Sequence, residues 1–348
     1  MAAAPPRFGI WAPVHGSRAA HHDPDEPDDA SWARTRALVL EAEALGFASV
    51  LVAQHTMNPY DETRDQLDAW SASAALAALT DRIEIIAAIK PGLVHPVVLA
   101  KAALGIDGIS GGRFALNLVN AWNKAEFERA GLPFPAHDAR YAYGREWIGL
   151  VDRLMRGERV TVQGEHFRTE DYQLRPAGTF RPRPTIYLGG ESDPARALAA
   201  DHADVWFING QPLEDVAALI ADVARRPAAH GPLRYGLSAF VIARDTDAEA
   251  EGEHARLLAL AHRDADLRAD TRARTDAASV MFAKTDAASS RHVGTNGGTA
   301  AGLVGSYETV AKRIRAFHAA GIGLFMLQFQ PFEAEMRRFA EQVIPRIR

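Results

Sequence analysis

Two rhythms of apolar and polar positions take turns along the whole chain. Short continuous apolar runs predict buried strands at 7–13, 49–53, 83–89, 114–119, 185–188, 205–208, 235–243 and 324–328. Stretches with helical spacing separate them: 31–45, stopped by Gly46; 69–79; a third opening at His95-Pro96 and ending near Gly111-Gly112; 140–156; and 212–225. In 140–156, Trp147, Leu150, Val151 and Leu154 fall at i, i+3, i+4 and i+7, one buried stripe. Ser192-Asp193-Pro194 opens a helix after the fifth strand, and Phe332, Met336, Phe339 and Val343 share one face of a last helix. Residues 160–174 alternate around Gln163-Gly164 as a surface hairpin. Eight strands, each followed by a helix, predict an α/β protein of the TIM (β/α)8 barrel type.

No linker or internal repeat divides residues 1–348, which are expected to form a single domain. Residues 265–302, charged and then rich in Gly, Ser and Thr, fall between strands seven and eight. A connection that long is expected to be a lid, placed beside the site of such a barrel. Composition narrows the function. A net charge of −5 leaves no basic footprint for nucleic acid, and the absence of Cys excludes disulfides, thiolate metal sites and a cysteine nucleophile. There is no apolar run long enough for a membrane span and no signal-peptide pattern in MAAAPPR, so the expected location is the cytoplasm.

The densest chemistry follows the fourth strand, where Asn117, Asn120, Trp122, Asn123, Lys124 and Glu126 come in quick succession before Arg140-Tyr141. Any one of them is explained by an ordinary capped loop; their density reads as the mouth of a pocket. Gly189-Gly190-Glu191-Ser192 links a strand to a helix, either as a plain capped turn or as a cradle whose free N–H groups suit a phosphate. His55 stands just past strand two, while His21-His22 lie in an acidic loop read as mobile surface. No nucleophile elbow, Walker loop, zinc-protease helix or dinucleotide fingerprint is present. An enzyme built this way would leave the difficult chemistry to a cofactor.

RFGIWAP, ISGGRFALNLVNAWNKAEFERAG, HDARY, FRTEDYQLRP, IYLGGESDPAR, GTAAGLVGSYETVAKRI and LFMLQFQPF together resemble the bacterial luciferase-like family of flavin-dependent monooxygenases, over nearly the whole chain. The resemblance is nearest to the alkanesulfonate and dimethyl sulfone monooxygenase branch and secondarily to pyrimidine monooxygenase. It implies reduced FMN delivered by an NAD(P)H-dependent flavin reductase, O2 as cosubstrate, and a homodimer or homotetramer. Carried over by position, it puts Gln54, His55, Asn117, Glu126, Arg140, Tyr141, Gly190 and Ser192 at the flavin, and Asn117, Trp122 and Asn296 nearest the chemistry. The substrate would meet Trp11, Trp122, Phe240, Gln328 and Gln330.

Where alkanesulfonate monooxygenases carry two Arg, a His and a Tyr, this chain has Ser238, Phe240, Asn296 and Gln330. A sulfonate keeps its charge, and burying it without a cation costs several kcal/mol. The resemblance therefore implies oxygenation of a small neutral organosulfur compound, dimethyl sulfone first, with C–S cleavage. Ring opening of a pyrimidine, an alkanesulfonate substrate, a deazaflavin cofactor and a non-catalytic flavin-binding protein are the rival readings.

Overall fold

The computed structural model describes residues 4–16, 22–228, 230–263, 275–276 and 292–347. Its first strands and helices are β1 (Arg7–Trp11), α1 (Trp32–Ala44), β2 (Ser49–Val52), α2 (Ala69–Leu79), β3 (Glu84–Ile89), α3 (Pro96–Ser110), β4 (Phe114–Leu118), α4 (Lys124–Arg129) and α5 (His137–Met155). The hairpin β5 (Val160–Gln163) and β6 (Arg168–Tyr172) follows, then β7 (Thr185–Gly189), α6 (Asp193–His202), β8 (Val205–Ile208), α7 (Leu213–Ala224) and β9 (Arg234–Phe240). The chain finishes with β10 (Ile242–Arg244), α8 (Asp247–His262), β11 (Val304–Ser306), α9 (Tyr307–Ala319), β12 (Ile322–Gln328) and α10 (Phe332–Arg338), which continues through a π-turn into α11 (Ile344–Ile347).

Eight of the strands close into one ring, in the order β1-β12-β9-β8-β7-β4-β3-β2, with every pair parallel. β8 is apolar throughout, and β2 is apolar after Ser49, because both faces are covered. One face fills the ring, where Leu51, Ile86, Tyr187, Phe207 and Met326 pack together. Gly9 is required there, since a Cβ would stand 2.3 Å from Ser49 Oγ. The other face meets the helices, which begin on readable caps: Ser31 accepts from the Arg34 N–H, Asp68 from that of Ser71. No helix among the described residues is long and apolar enough to cross a membrane.

Four features differ from the sequence reading. The run 235–243 is two strands. β9 stays in the barrel, but the Val241 N–H bonds Gln328 O at 3.1 Å and the Ile242 N–H bonds Leu303 O at 2.9 Å, so β10 leaves to pair with β11. Ile242 and Ala243 remain buried after the break, which is why hydropathy does not register it. Helices α8 and α9 also went unplaced. In α8 only Ala250 and Leu257 are buried, too few to make a stripe, although Thr246 and Glu249 form a capping box.

The expected lid at 265–302 is described only at 275–276 and 292–302, and the rest lies outside the described residues. Residues 292–302 are a packed wall. Val293 and Thr299 are buried, and Gly297 presses on Gly210 so closely that a Cβ would lie 2.0 Å from its carbonyl oxygen. Lastly, the acidic loop expected to be mobile is held by ion pairs where it is described. Asp23 accepts from Gln330 Nε2 at 2.7 Å and Arg256 Nη2 at 3.1 Å, and Glu26 from Arg34 Nη2 at 2.9 Å and the Phe332 N–H at 2.7 Å. Its acidic composition resembled a solvated loop because the partners are far away in sequence.

Candidate active site

All eight barrel strands point their C-terminal ends at one rim, and the candidate residues collect there. At the end of β4, Asn117 is buried and its Oδ1 has no hydrogen-bond partner; the same holds for Asn120 Nδ2. Ala121 adopts a φ of 37°, an uncommon conformation for a residue with a side chain and one concentrated at functional sites. Asn123 then caps α4, accepting from the Glu126 N–H at 3.3 Å, and so fixes the first turn that carries Glu126.

Glu126 is almost wholly buried. Its Oε1 accepts from the Thr56 N–H at 2.7 Å, and its Oε2 is ion-paired with Lys90. Lys90 Nζ also contacts His55 Nδ1 at 3.0 Å, while its own backbone N–H is received by Gln54 Oε1 at 2.8 Å. Gln54, His55, Lys90 and Glu126 therefore form one connected cluster across the ends of β2, β3 and β4. Burial opposes ionisation of Glu126, but His55 and the Lys90 ammonium outweigh it and hold its carboxyl down at about 2. Burial and then Lys90 push His55 down to about 3, against the pull of Glu126, and burial alone brings His15 to about 4. Both imidazoles are neutral at physiological pH.

On the β4–β7 side, Arg140 lies in the first turn of α5. Its Nη1 donates to Pro135 O at 2.7 Å, its Nη2 pairs with Asp276, and its guanidinium covers the Phe134 ring at 4.2 Å, leaving Nε buried without a partner. Gly190 has φ 115°, and a Cβ there would stand 3.1 Å from the Tyr141 hydroxyl, so the backbone approach demands glycine. Ser192 precedes α6 without making a capping bond, and its hydroxyl is buried beside the Tyr141 phenol. Burial raises the Tyr141 phenol and keeps it protonated. Orphaned buried polar atoms are rare in native folds. Three of them, on Asn117, Asn120 and Arg140, are what the wall of a large polar ligand's site would show.

A cavity of about 140 Å³ opens between the ends of β1, β9 and β12, lined by Trp11, His15, Tyr60, Phe240, Gln328 and Gln330 among others. That is room for about five waters at their liquid volume, and so for a small molecule. Four of the expected substrate residues line it. Trp122 does not; its ring meets His55 edge-on at 5.7 Å. Asn296 is not among the lining residues either, and its carbonyl accepts from the Gly210 N–H at 2.8 Å. The Gln328 amide is spent on Thr295, receiving its N–H at 2.9 Å and donating to its carbonyl at 3.0 Å. Gln330 donates to Asp23, while Trp11 Nε1 and His15 Nδ1 have no partner.

Lys90, His15, Tyr60 and Glu26 were missed by sequence reasoning. Lys90 directly follows the apolar run Ile85 to Ile89 of β3, and a cation at a buried strand end requires a partner. Nothing in the sequence singles out His15 or Tyr60.

The fold is a (β/α)8 barrel with these polar residues gathered at the C-terminal rim of its strands. Residues 6–323 match the luciferase-like monooxygenase family, and the chain belongs to it and is a monooxygenase. Among curated relatives, it is 32% identical over 348 residues to the FMNH2-dependent dimethylsulfone monooxygenase of Pseudomonas putida, covering 99% of this chain and 96% of that one. It is likewise 32% identical over 346 residues to the enzyme of the same name from Pseudomonas fluorescens (strain Pf0-1), covering 98% and 94%. Among solved structures, DmoA from Hyphomicrobium sulfonivorans superposes with a TM-score of 0.74 at 17% identity, covering 98% of this chain and 88% of that chain, which establishes the shared fold.

The two neutral histidines make stability depend on pH. Unfolded, they would bind protons below about pH 6.5; folded, they resist until about pH 4 and pH 3. The unfolded state thus binds more protons throughout that window, and stability falls as pH drops through it. The melting temperature should decline steadily from pH 6.5 to pH 4, less steeply in His55→Gln. A flat profile over that range would contradict the assignment.

Proposed function

We propose that this chain is the oxygenating component of a two-component system, drawing reduced FMN from a separate NAD(P)H-dependent flavin reductase and using O2 to oxygenate a small neutral organosulfur compound, with dimethyl sulfone the leading substrate. The observation that carries the substrate class is the charge of the cavity. Among its described lining residues none is Lys or Arg; the Glu26 carboxylate is already paired with Arg34, His15 is neutral, and His22 is the other histidine of the lining. An anionic sulfonate would find no Lys or Arg among those residues to offset its desolvation, at a cost of several kcal/mol. A sulfone has no charge to desolvate, and its methyl groups suit Trp11 and Phe240.

Reduced FMN, when bound, would supply the two electrons that activate O2 for transfer of one oxygen atom. The chain's own groups hold and shield it: Asn117 and Asn120 carry unpaired amide atoms, and Arg140, Tyr141 and Ser192 supply a cation and two hydroxyls for the phosphate end. Glu126 acts behind this wall through Lys90 and Thr56, not by facing the ligand. The balanced reaction converts dimethyl sulfone, O2 and reduced FMN into methanesulfinate, formaldehyde, water and FMN, one oxygen atom entering the product as the C–S bond breaks. Buried apolar walls keep water from the oxidant.

Two measurements test this reading. Arg140→Ala should raise the Kd for FMN about 10- to 100-fold, the worth of a charge-assisted hydrogen bond, and change that for riboflavin far less. Equal effects on both would remove Arg140 from the phosphate. In a reductase-coupled assay, dimethyl sulfone should yield methanesulfinate and ethanesulfonate should yield no sulfite. Turnover of the sulfonate would overturn the neutral-substrate reading, and turnover of uracil alone would move the chain to pyrimidine chemistry.

A further inference from the structure

His55 sits where three strand ends converge, and its surroundings decide what it can do. Lys90 Nζ is 3.0 Å from His55 Nδ1 and paired with Glu126 on its other side. Glu126 Oε2 lies farther from Nδ1, at 3.7 Å, so the nearer Lys90 ammonium has first claim on that nitrogen. Among the described residues, the next titratable neighbour is His15, whose ring stands edge-on at 6.3 Å; Trp122 closes the other side at 5.7 Å. Of these described groups the Lys90 ammonium is nearest to Nδ1.

An ammonium has three donors and no acceptor, so the nitrogen it contacts must offer a lone pair. We propose that Lys90 is a positioning residue: anchored by Glu126, its ammonium donates to His55 Nδ1, keeps the ring proton on Nε2, and makes His55 a fixed hydrogen-bond donor at the rim. Two further observations agree. Lys90 and Glu126 leave only 3% and 0% of their side-chain surface exposed, whereas His55 keeps 9%. Burial and the adjacent cation also oppose a second proton on the ring. A histidine so held is a poor base and a good donor, suited to an acceptor atom of a ligand at the mouth. That ligand's being FMN rests on the proposed function; the tautomer does not.

The test is nitrogen NMR of the full chain labelled with 15N-histidine, the His55 signals being identified by their loss in His55→Gln. The wild type should show neutral His55 with its proton on Nε2, without titrating above pH 5. Lys90→Met leaves Glu126 beside Nδ1, so the proton should move to Nδ1 and the midpoint should rise by about one unit or more; Lys90→Arg should restore the wild-type pattern. Adding FMN should shift the Nε2–H proton in the wild type. A wild-type proton on Nδ1, a midpoint near 6.5, or a Lys90→Met spectrum like the wild type would overturn the inference. So would FMN that binds without moving the Nε2–H signal. If Lys90→Met does not fold, the wild-type tautomer still decides. Failure of FMN to bind, with the tautomer as stated, would overturn the proposed function and leave Lys90's role standing.

Discussion

Closing eight parallel strands into one ring sends every C-terminal strand end to the same rim, and what this protein does depends on that constraint. Residues as distant in sequence as Trp11, Gln54, Lys90, Asn117, Gly190 and Gln328 become neighbours because each ends, or just follows, a barrel strand. The helices and the outer core serve this arrangement. They bury the outward faces of the strands and fix the tilt that brings the ends together.

The rim carries many charges, and the fold pairs nearly all it buries. Lys90 answers Glu126, Arg34 answers Glu26, and Asp23 is shared by Arg256 and Gln330. Removing one partner of such a buried pair costs about 3–5 kcal/mol, because the other is left uncompensated. Pairing has a functional side as well. It holds the acidic loop against the barrel and leaves the cavity with an apolar floor between Trp11 and Phe240 and no free cation among its described lining residues. The proposal of a neutral, small substrate rests on that balance of charge more than on any single contact.

Much of the architecture was legible in the sequence because buried parallel strands are apolar on both faces and helices between them keep their spacing. The boundaries of β2, α2 and β8 fall within a residue or so of expectation. The split between β9 and β10 was invisible because both pieces stay buried, and α8 because so little of it does. At the site, the dense polar run after β4 was readable as a mouth. The roles within it were not. Glu126 reads from sequence as a ligand contact, yet its carboxylate is consumed by Lys90 and Thr56, a pairing over 36 and 70 residues that no local pattern records. Likewise Gln328 is expected at the substrate, but Thr295 occupies both ends of its amide.

The account is tested most directly by a single turnover. The protein would be titrated anaerobically with reduced FMN, then mixed with 18O2 and dimethyl sulfone, and the products analysed for isotope. One labelled oxygen per methanesulfinate-forming event, recovered in the organic products and in proportion to bound reduced flavin, is the predicted result. Oxidation of the bound flavin with all label in peroxide or water, and the sulfone untouched, would contradict it.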